Sequence, residues 1–493
     1  MTDQIPVLII ILPLLSALIT PLLGWWRENL CYPWVIFSLA LCMLCSIFVL
    51  GTVIDTGVIH YYLGSWLPPL GIEYVIDHLN ALMLVIISTT ALIVAVYSKK
   101  SIIQEIEGSI VYFYTVFLLQ VTGFLGIVIT GDLFNLYVFL EITSLTGYAL
   151  IAAGEDGAPF ATFRYIILGT IGACFYLLGV GYLYIITGSL NIADLAQLLP
   201  ELYGSKVILV AFAFFFVGIA IKMALFPLHV WLPDAYTKAP SAASALIAPL
   251  MTKISVYVML RIMFTVFKPS LSIDMLPVTD IMIWLGIAAI VAGAVMALAQ
   301  TDFKRMFCYI VVAEIGYMVG GMGIANSVAI KGVILHILND AIMTLGMFTV
   351  AGMVYYQTKS HHLTDFKDLF KKMPYTMAAF VVIALSIIGV PPTCGFFSKW
   401  YLIQGAVMAD CWVFVAALLL SSLINIILFF RIFEIGYGFS DTQGHGHGHE
   451  VLINEAPMSM LIPTIVTAVG IILIGIYNQP IVNHVIQFAV PKL

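Results

Sequence analysis

Apolar runs of about 18 residues or more, nearly free of charge, recur from residue 4 to residue 477. Each is long enough to cross the ~30 Å hydrocarbon core of a bilayer as a helix. Backbone groups in lipid must be satisfied within the segment, so such a chain folds as a bundle of spanning helices. The runs predict fourteen spans, at 4–24, 33–53, 77–97, 110–130, 133–153, 162–187, 206–226, 242–264, 279–300, 304–323, 329–356, a broken span at 375–390 and 394–409, then 411–433 and 461–477. Charged residues make up only 9% of the 493, far below the roughly 25% of a soluble domain. The expected fold class is an all-α polytopic membrane protein. No basic n-region precedes Ile5 and no small-residue cleavage site follows, so the first run reads as a retained helix rather than a signal peptide.

Against that background the stretch 218–253, GIAIKMALFPLHVWLPDAYTKAPSAASALIAPLMTK, stands out. Lys222 sits in an apolar helix, Pro227 breaks the ladder five residues later, and a second lysine, Lys253, follows inside the next apolar run. A charged side chain inside a span is costly and marks function by default. A helix broken at membrane depth is tolerated only against protein or a watery cavity. The pattern recurs: span 12 breaks at Pro391-Pro392 and carries Lys399, while LMTKISVYVMLRIMF (250–264) parallels LSSLINIILFFRIFE (420–434), aligning Arg261 with Arg431. Spans 4–8 and 9–13 therefore read as two five-helix repeats, inverted because each has an odd number of spans, a transporter arrangement with its site near the midplane. The expected division is 1–109 with an extramembrane hairpin, 110–264 and 265–435 as the repeats, and 436–493 as a His-rich loop and last helix.

Few ionisable groups lie inside the spans: Glu141, Lys222, Lys253, Glu314, His336, Asp340 and Lys399, with Asp132 and Asp302 at span entrances. Burial weakens a lysine's hold on its proton and a nearby carboxylate restores it, so a lysine whose carboxylate partner comes and goes can bind and release a proton near neutral pH. Glu141 is the only carboxylate well inside the first repeat and pairs with Lys222 on this reading. Lys253, His336 and Lys399 then form a lateral chain, helped by an imidazole's titration near neutrality. Glu314, Asp340, His229 and Asp234 are possible modifiers. A structural latch for a single Lys–Glu pair and a satisfied core histidine for His336 are the plainer readings. Asp340 lies one turn after His336, so a His336–Asp340 hydrogen bond is expected. His361 and His362 read as solvated linker residues.

Other chemistries are excluded or weak. The seven cysteines sit mostly in or beside apolar runs, and no four-cysteine cluster pattern or glycine-rich nucleotide fingerprint is present, so no cofactor is expected and any redox centre belongs to another chain. No basic patch points to nucleic acid. His445, His447 and His449 alternate with glycine and offer at most a weak metal site. Loop lysines and arginines divide twelve to five when the N-terminus is placed outside, leaving Lys222, Lys253 and Lys399 in neither set, so both termini are expected on the non-cytoplasmic side of the cell membrane.

HVWLPDAYTKAPSAASALIAPLMTK (229–253), DFKRMFCYIVVAEIGYM (302–318), HILNDAIMTLGMFTVAG (336–352) and GVPPTCGFFSKW (389–400) together resemble the signatures of the antiporter-like subunits of respiratory complex I and of Mrp multisubunit sodium/proton antiporters, over roughly residues 75–435. Lysines in both span 8 and span 12 are similar to the D-type subunits of the Mrp antiporters and to one complex I member, while HYYLGSW (60–66) leading to IEYVIDHLNALML (72–84) looks more like the Mrp D type. The resemblance implies that Glu141 and Lys222 are the paired proton switch, that Lys253, His336 and Lys399 continue the relay, and that the chain works with other membrane subunits, moving protons and exchanging sodium. It departs from many relatives at Asp340, where a second histidine is usual, at Thr344, where a lysine is usual, and at Glu314, where glutamine or histidine is expected. Three alternatives stay open: a proton-pumping subunit of a complex I-like or hydrogenase assembly, a scaffold with a decayed relay, and a solute transporter with its site at the span-7 break.

Overall fold

The computed structural model of the chain describes residues 4–106, 110–154, 156–437 and 454–491. His445, His447 and His449 lie outside the described residues. Among the described residues, twelve helices are long and apolar enough to cross a membrane. Because their apolar side chains face all directions, each is stable only in lipid or against other helices. Burial sorts them. The apolar window of Ser241–Val266 is 100% buried, whereas those of Ile5–Trp26 and Ala158–Thr187 are 33% and 39% buried. Helices Ser241–Arg261, Phe303–Ile324 and Ser327–Thr358 thus form the centre, and the ionisable groups they carry are removed from lipid. Close approach relies on small residues: Gly286 and Gly316, on neighbouring helices, would each carry a Cβ within 2.7 Å of the facing backbone.

Outside the helices, strands Ile59–Tyr62 and Glu73–Ile76 pair antiparallel, with Ile59 opposite Ile76. This ribbon precedes helix His78–Glu105, whose start is fixed by a capping box between Asp77 and Asn80. Two other helix starts match each other. Asp132 caps Leu133–Ala152 by accepting from the Asn135 amide at 2.7 Å, and Asp302, 170 residues on, caps Phe303–Ile324 by accepting from Arg305 at 2.7 Å. Both aspartates also join a one-residue antiparallel bridge, to Asn191 and His362 respectively.

Two further apolar helices are interrupted. Helix Lys206–Lys222 ends on Lys222 itself, earlier than the break expected at Pro227, and the chain resumes helically at Trp231–Lys238. Lys222 is therefore the last residue of a helix and not an interior one. The cause is local: Ala224 takes a left-handed φ of 58°, so the Leu225 amide reaches back to Ala220 O at 3.0 Å. Helix Pro374–Ile388 ends the same way, with Gly389 at φ 94° and the Val390 amide on Leu385 O at 2.9 Å, before Cys394–Met408. In each gap a side chain from beyond the break donates to a carbonyl of the helix's last turn. Trp231 Nε1 donates to Ile221 O at 3.0 Å, and Lys399 Nζ donates to Ile387 O at 2.6 Å.

The loops gather at two ends. One end holds a polar cavity of about 200 Å³ lined by Glu105, Lys238, Lys304, Tyr355 and His361. The other holds a cavity of about 470 Å³ lined by Asp77, Arg261, Lys268 and Pro491. Lys304, counted as a loop lysine from the sequence, is only 2% exposed and donates to Ala239 O at 2.5 Å. His361 is likewise not a freely solvated linker residue, since it stacks on Tyr355 at 4.5 Å, whereas its neighbour His362 is exposed.

Candidate functional site

The interrupted helix delivers Lys222, 4% exposed, to the face of helix Leu133–Ala152. Its ammonium donates to Ser144 Oγ at 2.6 Å. Ser144 spends its own proton on Leu140 O at 2.7 Å, so its oxygen is left as an acceptor. Glu141 lies one turn earlier on that face. Its charge reaches Lys222 electrostatically, but the two form no direct ion pair, and the buried Oε1 of Glu141 has no hydrogen-bond partner. Ser144 was invisible as a partner in the sequence, although its spacing of three from Glu141 places it on the same face. A space of about 10 Å³, roughly the room one water needs, lies between Lys222 and Ser255, on the helix that carries Lys253.

Lys253 is fully buried and lies 2.8 Å from Asp340 Oδ2, with both side chains 1% exposed. Thr344 Oγ1 donates to Asp340 Oδ1 at 2.8 Å and lies 3.3 Å from Lys253 Nζ. The expected His336–Asp340 hydrogen bond does not form: Asp340 turns toward Lys253. Removing one member of such a buried pair costs about 3–5 kcal/mol. Thr344 and Asp340, two of the departures from the resembled pattern, thus meet at one lysine.

His336 turns instead to Glu314. Its Nε2 is 2.6 Å from Glu314 Oε2 and its Nδ1 is 2.9 Å from Ser398 Oγ. Ser398 precedes Lys399, which lies over the Tyr317 ring at 5.0 Å as well as on Ile387 O. Tyr317 OH in turn meets Ser421 Oγ at 2.6 Å. Glu314 and Asp340 both act electrostatically on Lys399. The structure therefore brings Lys253, Asp340, Glu314, His336 and Lys399 into one buried neighbourhood, with Lys222 and Glu141 adjoining through the Ser241–Arg261 helix. Asp234 stands apart, held by Arg164 at 2.6 Å and Arg305 at 3.1 Å, and has a structural part as the tie between three segments. His229 stacks on Phe226 at 5.2 Å, with its Nδ1 unpartnered. Among the described residues no group of three or more His, Cys, Asp or Glu could hold a metal ion.

A family model described as "NADH:quinone oxidoreductase/Mrp antiporter, TM" matches residues 130–425. The chain belongs to this family. The matched span begins just before Asp132 and ends beyond the second lysine-bearing broken helix, so it contains every group of the buried row. Among curated members, the chain is 43% identical to a protein of Desulforudis audaxviator named NADH-quinone oxidoreductase subunit N, over 100% of this chain and 99% of that one. It is 32% identical to the D subunit of the Na(+)/H(+) antiporter of Alkalihalophilus pseudofirmus, over 92% and 90% of the two chains. A solved relative, from the membrane-bound sulfane sulfur reductase, an archaeal respiratory membrane complex, superposes with a TM-score of 0.90 at 31% identity over 98% of this chain and 96% of that chain. As a member of the NADH:quinone oxidoreductase/Mrp antiporter family, the chain is a multi-pass membrane protein.

Proposed function

We propose that this chain is a proton-translocating subunit of an Mrp/complex I-like membrane assembly, and that Glu141, Lys222, Lys253, His336 and Lys399 carry the proton, with Glu314 and Asp340 as modifiers of that relay. The observation that carries the reading is the buried row itself. Four cationic or imidazole side chains lie within a bundle interior at 5% exposure or less. Three of them rest on a carboxylate or a hydroxyl, and Lys399 on a carbonyl and an aromatic ring. A purely structural interior has no use for so many desolvated charges, since apolar replacements of buried pairs are commonly as stable or more so.

On this reading the chain has fourteen spans, the two interrupted helices counting as spans 7 and 12, and the five-helix sets 4–8 and 9–13 are inverted repeats. The matched Asp132 and Asp302 caps and the matched helix breaks support the duplication. Both termini face the non-cytoplasmic side, and the cavity at Glu105, Lys304 and His361 opens toward the cytoplasm. Partner subunits supply the coupling, with sodium as the exchanged ion in an Mrp-type assembly.

A second reading replaces sodium coupling by electron transfer in partner subunits. The 43% identity to a protein named as an NADH-quinone oxidoreductase subunit favours it. Transport by vesicles holding the whole assembly separates the two: sodium-dependent proton movement without a reductant supports antiport, and reductant-dependent movement indifferent to sodium supports the redox-driven form.

A further inference from the structure

We propose that Asp340 is a proton-carrying partner of Lys253, giving the chain a second carboxylate-gated lysine beside the Lys222–Glu141 site; the inference rests on the proton-translocating reading above. Two features of the pair separate it from a packing contact. The first is the unequal hold on the two carboxylate oxygens. Lys253 Nζ lies 2.8 Å from Asp340 Oδ2 and is the partner of that buried oxygen. Oδ1 accepts from Thr344 at 2.8 Å, which fixes the carboxylate's orientation and leaves Oδ2 to the ammonium alone.

The second is placement. Asp340 sits one helical turn from His336, opposite Lys253, and its charge also acts on Lys399. It therefore acts on the lysine of each half of the row. Glu141 and Glu314 each carry one buried oxygen with no hydrogen-bond partner. The first site is open in this structure, with Lys222 on Ser144, while the second is closed, with Lys253 on Asp340.

The step balances in protons. With the pair closed, Lys253 is an ammonium and Asp340 a carboxylate. An arriving proton adds to Asp340 Oδ2 and neutralises it. Lys253 is left as an unpaired buried ammonium, a strongly disfavoured state, and passes one proton onward toward His336. The Asp340 proton then moves to the neutral Lys253 amine and the pair closes again. One proton enters and one leaves.

The test uses the whole reconstituted assembly. Asp340→Asn keeps the shape but cannot carry a proton, and proton movement is expected to fall about 100-fold, with Asp340→Glu restoring most of it. Difference infrared spectra between resting and energised wild-type assembly should show a carboxylic acid band that shifts on isotopic labelling of aspartate carboxyls. A structural ion pair gives no such band, and the measurement needs no variant that could misfold. Wild-type transport in Asp340→Asn, or a band insensitive to aspartate labelling, overturns the proposal. Glu141→Gln run in parallel separates the two levels: if it is inactive while Asp340→Asn is fully active, only the second gate fails, and if both are fully active the translocating reading itself fails.

Discussion

Lys222 donates to Ser144 at 2.6 Å, one helical turn beyond Glu141 on the same helix. The lysine therefore has two resting places on one face, a neutral hydroxyl and a carboxylate. Ser144→Ala removes the first. A hydrogen bond to a charged group contributes about 1.5–3 kcal/mol, so the lysine should settle on Glu141 and the pair should open less often. Proton movement by the reconstituted assembly is expected to fall roughly 10-fold or more, with assembly intact on a native gel. A rate equal to wild type would show that Ser144 is a bystander.

The helix breaks make a separate prediction. Trp231 and Lys399 satisfy Ile221 O and Ile387 O across the two gaps. Trp231→Phe keeps the ring and drops this donor, leaving Ile221 O with the Ala224 amide at 3.1 Å and forfeiting one hydrogen bond of about 0.5–1.5 kcal/mol. Thermal unfolding of the purified assembly should shift downward by a few degrees. No shift would mean that the Ala224 amide alone suffices for this carbonyl.

Acid sensitivity should come in part from His361, which lies outside the spans. Burial, and then the Lys304 and Lys238 charges, push its imidazole down to about 3. The folded form thus resists a proton that the unfolded chain takes up near pH ~6.5. Its stabilising contribution is present above that pH and is lost as pH falls toward 3, at up to about 1.4 kcal/mol per pH unit. His361→Phe, which keeps the stack on Tyr355, should flatten the decline in melting temperature between about pH 6.5 and 4. An unchanged slope would assign acid lability to other groups.

Glu314 gives a prediction on the far side of the row. Its Oε2 holds His336 Nε2 at 2.6 Å. Glu314→Gln can still hydrogen-bond the ring but cannot charge-pair with it, and charge-assisted bonds are about twice as strong as neutral ones. Proton movement should drop about 10-fold, and Glu314→Ala should cost more. Equal rates in both would place His336 outside the path.

Much of this was legible because lipid leaves so little freedom. Apolar run length alone located the long helices, and any lysine or glutamate inside a run announced itself. What stayed hidden was side-chain choice among near neighbours. His336 could reach Asp340 along its own helix or Glu314 across to another, and packing selected the second. Asp340 was free to meet Lys253 because their helices pack against each other at the centre, which no single-chain pattern reveals. Ser144 was masked by its ordinary composition. Proline marked the interruptions but not their edges: both helices end three or more residues before the proline, where Ala224 and Gly389 turn left-handed. Lys304 and His361 looked like loop residues because their burial depends on the cavity that several loops build together.

The most direct test of the central claim is proton uptake by vesicles containing the whole assembly, comparing wild type with Glu141→Gln and Lys222→Met. Both variants are expected to assemble and to lose proton movement to background. Wild-type rates in either variant, in a fully assembled complex, would contradict it.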